Sequence, residues 1–130
     1  MRAKRLSLIA ALAFAALGSH AFAQAITTPA AGSAYRTAIM DSMRTHSGDQ
    51  NRVYLVKNLR VSGDWAWLDA TPQSRDGRNK YEPESALLRR AGGGWRVVDQ
   101  PCGEEDCDAR KEVARIRRAN PAAPAEIFPR

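Results

Sequence analysis

The stretch Arg52–Pro72, RVYLVKNLRVSGDWAWLDATP, constrains the fold more than any other part of the chain. It reads as two antiparallel strands joined at Ser62-Gly63-Asp64. Val53, Tyr54, Leu55 and Val56 open a run of β-branched and aromatic residues, which suit a half-buried pleated surface. Alternation then fails, because a regular strand puts Lys57 on the same face as Val53, Leu55, Leu59 and Val61. Two readings are open. A bulge at Lys57-Asn58 brings Tyr54, Val56, Leu59 and Val61 onto one side; otherwise Lys57 snorkels from the sheet rim. Gly63 supplies the free dihedrals of a tight turn, and Asp64 can bond its own backbone. On the return strand Ala66, Leu68 and Ala70 face one way, and Trp65, Trp67 and Asp69 the other. Pro72 cannot donate to a ladder and is expected to end the strand.

The segments around this hairpin supply what packs on it. Residues 24–32 carry small residues without periodicity and are expected to form a flexible leader. Ser33 is an N-cap candidate for a helix to about His46, with Tyr35, Ile39 and Met43 at helical spacing and Ala38 beside them. Ser47-Gly48-Asp49 stops it. After Pro72, QSRDGRNKYEPE is a long polar connection with Asp76-Gly77 as its turn signal, either a mobile hairpin tip or a short irregular strand. Ser85–Arg90 and Trp95–Gln100 read as two further strands across a Gly-rich turn. Asp106–Ala119 reads as a second helix whose acidic start and basic end complement the helix dipole. Pro121 ends it. Residues 120–130 form an extended tail, in which Ile127 and Phe128 either dock on the sheet or anchor a partner. The expected fold is α+β: an N-terminal helix on a curved antiparallel sheet of about four strands, with a short C-terminal helix. The domain spans residues 33–119.

The first 23 residues have a different purpose. Arg2, Lys4 and Arg5 precede an apolar run, Leu6–Leu17, too short for a confident membrane span. Ala21-Phe22-Ala23 is a small-x-small cleavage signal, so residues 1–23 read as a secretory signal peptide. The expected location is the periplasm or outside the cell, without a lipid or stable membrane anchor. Removing 23 of 130 residues leaves 107, enough for one small domain. It also removes three basic residues, taking the formal charge from +6 to +3. Export and the lack of a long basic stripe argue against nucleic-acid binding. Cys102 and Cys107 in PCGEEDC are an even pair in an exported chain and are expected to form a disulfide.

Catalytic equipment is sparse. The thiols are assigned to each other, and His46 is the one histidine of the mature chain. A zinc site needs more ligands than that. Asp64 and Asp69 flank the tryptophans and are conceivable as an acid-base pair, although turn and strand-edge roles explain them. The acidic run Glu104–Asp108 lacks the alternating oxygen ligands and central glycine of a calcium loop. Gly92–Gly94 has no following Lys-Ser/Thr, so it is not a phosphate loop. No catalytic residue, metal ion or cofactor is expected.

Recognition remains. Trp65 and Trp67 share a strand face, and Arg75, Arg78, Lys80 and Tyr81 are expected beside that edge. Aromatic residues with arginine are the usual anchors of protein interfaces. The competing reading makes the tryptophan face a second hydrophobic layer under the C-terminal segment. The first expectation is therefore a non-catalytic partner-binding protein, such as an inhibitor or immunity-type partner of an envelope enzyme. The second is a small-ligand binder with a pocket between helix and sheet. The third is a cell-envelope enzyme using Asp64 or Asp69.

The motifs also carry a resemblance. R-x-A-I-x-x-x-x-R (Arg36–Arg44), L-R-V-x-G-D-W-A (Leu59–Ala66), A-L-L-R-R (Ala86–Arg90) and G-G-W-R-V-V (Gly93–Val98) make the chain look like a group of small, mostly uncharacterised secreted proteins of Gram-negative bacteria. Helix plus curved sheet is distantly similar to cystatin-like or nuclear-transport-factor-like cones. These motifs are structural, and the resemblance implies no catalytic residue.

Overall fold

The computed structural model describes residues 24–130, and the signal-peptide assignment to residues 1–23 lies outside them. The elements run α1 (Ala34–Ser47), β1 (Val53–Ser62), β2 (Trp65–Gln73), β3 (Glu84–Ala91), β4 (Gly94–Asp99) and α2 (Ala109–Ala119), followed by a 3-10 turn, Ala125–Ile127. The strands make one antiparallel sheet in sequence order, so the fold is α+β.

The break in alternation on β1 is a bulge. Val56 pairs with Ala70 and Asn58 with Asp69, leaving Lys57 unpaired and exposed. The extra residue turns Leu59 and Val61 onto the face already occupied by Tyr54 and Val56, and all four join one core. A two-residue turn follows. Gly63 sits at φ +57°, as its first central position requires when only that residue is left-handed. The β3–β4 hairpin closes through Gly92 and Gly93, both at positive φ.

On one face of the sheet lies α1. Ser33 caps it by accepting from the Arg36 amide at 3.2 Å. Ile39, Met40 and Met43 pack against Leu59, Val61, Ala66, Leu68 and Leu88. Tyr35 meets the Trp95 ring edge-on, with centroids 5.6 Å apart. Met40 takes the core place expected of Ala38, which is exposed. Each such buried side chain contributes on the order of 1.5–3 kcal/mol.

The opposite face is covered from far along the chain. Trp67 and Leu87, paired across β2 and β3, pack with Ile116 of α2 and with Ile127 and Phe128. The Trp67 and Phe128 rings lie 5.3 Å apart. Of the two roles open to Ile127 and Phe128 in the tail, the structure shows docking on the sheet, because burying them outweighs the cost of ordering their short segment. Helix α2 starts later than expected. Asp108 accepts from the Lys111 amide at 3.0 Å, and Glu104–Asp106 stay in the loop before it. That loop is closed by the Cys102–Cys107 disulfide.

Two other expectations are corrected. Residues 24–28 are not a loose leader but line the Leu59–Ser62 end of the outer edge of β1: Thr27 exchanges both backbone hydrogen bonds with Val61 at 2.8 Å. The Thr28 hydroxyl donates to the Leu59 carbonyl, and Ser62 donates to that of Gln24. Unpaired edge groups need a partner, and this short segment provides it. Pro72 does not end β2 but is buried within it, one residue before its end. Its carbonyl accepts from the Tyr81 amide. The missing N–H faces that same side, beyond the last β2–β3 pair, Ala70 with Glu84.

Candidate functional site

The six residues expected to form one binding surface fall in three places. Trp67 is only 1 % exposed and lies beneath Phe128, so it is core rather than a free anchor. Trp65 begins β2 on the same face but is half-buried, at the end of the sheet near Gly63. Arg75, Arg78, Lys80 and Tyr81 are exposed beyond the other end of β2. The Tyr81 amide bonds Pro72, seven residues from Trp65, or roughly 23 Å along an extended strand. The strand itself keeps the tryptophans and the basic loop apart.

The 74–81 connection is a small hydrogen-bonded turn. Ser74 Oγ donates to Asp76 Oδ1 at 2.6 Å, and the Arg78 amide donates to the same oxygen at 3.1 Å. The Ser74 hydroxyl and then the Arg78 amide hold the Asp76 carboxyl below its ordinary range. Tyr81 stacks under the Arg52 guanidinium at 4.7 Å and is thereby tied to its own chain.

Register brings different basic residues to Trp65. It pairs with Arg89 on β3, and Arg89 pairs with Arg96 on β4. Directly paired residues share a face, so Trp65, Arg89 and Arg96 form a row across the end of the sheet, with Trp65 half-buried against the rim of the second-face core. The Arg89 guanidinium lies 5.1 Å from the Trp65 ring centroid. Both arginines are exposed, and neither has a carboxylate within salt-bridge distance among the described residues. Like charges placed directly opposite are unfavourable. The neighbouring Arg90 shows the contrast. It points to the α1 face, pairs with Asp64 at 3.0 Å and stacks near Tyr35 and Trp95. Sequence reasoning passed over Arg89 and Arg96. The signal was available: a two-residue turn at Gly92-Gly93 sets Ala91 against Gly94 and hence Arg89 against Arg96.

The carboxylates considered for catalysis have structural partners. Asp64 is exposed and ion-paired with Arg90. Asp69 accepts from Asn58 Nδ2, Trp67 Nε1 and Ser85 Oγ, joining β1, β2 and β3. His46 Nε2 lies 2.9 Å from Gln100 Oε1 at the end of α1. Arg115 forks onto Asp99 at 3.1 and 3.2 Å and also reaches Glu112, fixing α2 to the end of β4. Those bonds, to Asp99 foremost, hold the guanidinium in its charged form. Arg115 in turn depresses Glu112, whose second carboxylate bond comes from the Cys102 amide. Glu112 and Arg115 of α2, the end of β4 and the disulfide loop are thus one network.

Two cavities border these elements. A cleft of about 540 Å³ lies on the second face between the sheet end, the disulfide loop and α2, lined by residues including Asp69, Glu82, Glu84, Ser85, Gln100 and Val113. Burial raises the Glu84 carboxyl above its ordinary range. A shallower groove of about 490 Å³ separates α1 from the outer edge of β4. The Ile39–Met43 stripe, by contrast, is closed core. Among the described residues no group of three or more His, Cys, Asp or Glu side chains is arranged to hold a metal ion. No described helix is long and apolar enough to cross a membrane. The disulfide is compatible with an oxidising compartment. Comparison with family models, with curated proteins and with solved structures finds no match.

Proposed function

We propose that the chain is a non-catalytic periplasmic protein that acts by binding another protein, as an inhibitor or immunity-type partner of an envelope enzyme. The row Trp65–Arg89–Arg96 carries this reading: an aromatic ring under a guanidinium, beside a second arginine, with no carboxylate in salt-bridge distance of either among the described residues. Aromatic and arginine side chains dominate binding energy at interfaces. Two uncompensated cations select a partner with carboxylates at that point, through on-rate as well as contact. The Asp64 and Asp69 networks support a non-catalytic role, since each carboxylate is bonded to groups that position strands.

The test is capture from a periplasmic extract with wild type, Trp65→Ala and Arg89→Glu. The partner is expected to be recovered with wild type and reduced at least tenfold with either variant, at unchanged circular dichroism. Equal recovery removes the proposal. A second reading, small-ligand binding, moves from the α1 side to the second-face cleft, whose volume of about 540 Å³ suits a small molecule. Its acidic lining favours a cation, and Glu84→Gln is expected to abolish such binding while leaving partner capture intact.

A further inference from the structure

The two edges of the sheet are finished differently. The outer edge of β1 is occupied at its Leu59–Ser62 end by Thr27 and its neighbours. The outer edge of β4 carries no strand among the described residues. Its free groups can be assigned from the ladder. The Arg90 amide donates to the Asp64 carbonyl on the β2 side, so the backbone groups of Arg89 and Ala91 face β4. Their partners Arg96 and Gly94 face back toward β3. Alternation then turns the N–H and C=O of Trp95 and Val97 outward. Natural proteins normally cover or blunt such an edge.

Space lies beside it. The α1–β4 groove is walled on the helix side by Ala38, Ser42 and Thr45, small side chains on one helical stripe, together with Asp41, which is held by Arg44. On the strand side Trp95 and Val97 form its floor. Arg96 points to the other face, where it continues the row from Trp65 and Arg89.

We infer that β4 accepts an extended segment of a partner protein as a fifth strand, with an acidic residue opposite Arg96 and small apolar residues against Trp95 and Val97. This rests on the reading of Trp65–Arg89–Arg96 as the binding surface and names the form of its partner. A strand laid beside β4 extends that row by one position. Opposite Arg96 lies a non-hydrogen-bonded pair, where side chains approach closely, and a glutamate there supplies the missing counter-charge. The residues on either side exchange backbone hydrogen bonds with Trp95 and Val97, and their side chains enter the groove. Main-chain bonding gives affinity and alternate side chains give selectivity, as in other strand-addition interfaces.

The experiment uses the secreted chain, labelled for amide NMR, and a capped hexapeptide of alternating valine and glutamate. Controls are the valine–lysine peptide and the valine–glutamate peptide N-methylated at alternate residues. Binding of the glutamate peptide is expected to slow exchange of the Trp95 and Val97 amides at least tenfold, with no slowing by either control. Val97→Pro removes an outward donor without touching the β3 ladder and is expected to abolish binding while preserving the spectrum elsewhere. If Val97→Pro binds like wild type while Arg96→Glu does not, strand addition is wrong and the arginine surface stands. If Arg89→Glu and Arg96→Glu both bind like wild type, the surface reading itself fails. Failure of the glutamate peptide to protect either amide overturns strand addition. So does a wild-type dimer that Val97→Pro dissolves, which assigns the edge to a second copy of this chain.

Discussion

The two faces of the sheet are closed by different means. The first is covered by α1, a helix adjacent in sequence whose stripe Ile39–Met43 matches an apolar face formed by alternate strand residues. The second is covered by Ile116, Ile127 and Phe128, some fifty to sixty residues beyond Trp67. At its margin Trp65 is only half-buried against that cover, and Arg89 and Arg96 beside it have no carboxylate within salt-bridge distance among the described residues. A face closed by local structure is finished as core. A face closed from a distance leaves a margin, and the proposed binding surface lies on that margin.

The strongest way to break this contrast is to remove the distant cover. Phe128→Ala is expected to cost about 3–5 kcal/mol, as large as a core truncation on the α1 face. It should also shift Trp67 emission to longer wavelength. Denaturant unfolding followed by fluorescence checks both, and a loss below about 1 kcal/mol would show that the tail is not part of the core. On the first face Leu68→Ala is expected to cost about 2–5 kcal/mol without moving Trp67 emission. Replacing both Cys102 and Cys107 by Ser releases the loop that leads into α2. For so short a loop the expected loss is about 2 kcal/mol, read from thermal unfolding with and without reductant. Asp108→Ala removes the cap of the same helix and is expected to cost about 1 kcal/mol.

The smallest effect is a pH dependence. The folded Glu112 carboxyl is depressed chiefly by Arg115, so the folded state holds its proton less tightly than the unfolded chain. Its contribution is present above the ordinary glutamate range and is lost as pH falls through the depressed folded value. Glu112→Gln should therefore flatten the acid side of the stability curve, measured by urea unfolding between pH 5 and 3. The same slope in wild type and variant contradicts the α2 network.

Legibility followed the range of the interactions. The β1 bulge was readable because one lysine spoiled an alternation, and the Ser33 cap because it precedes a helical stripe. The cysteine pair announced itself by count and spacing. Pro72 was misplaced because its tolerance depends on where β3 stops pairing, which lies in another strand. Trp65 and Trp67 looked equivalent, being two apart on one strand, and only a segment sixty residues away separates them. Thr27 gave no periodic signal, since one bridge on an edge needs none. Asp69 bonds three donors on three strands, a role set by register rather than by local sequence.

Hydroxyl-radical footprinting of the two β2 tryptophans, in the free protein and with its captured partner, tests that margin most directly. Trp65 is expected to be oxidised in the free protein while Trp67 is spared, and Trp65 to become protected in the complex. Trp65 as resistant as Trp67 in the free protein, or equally oxidised when the partner is bound, would contradict the account.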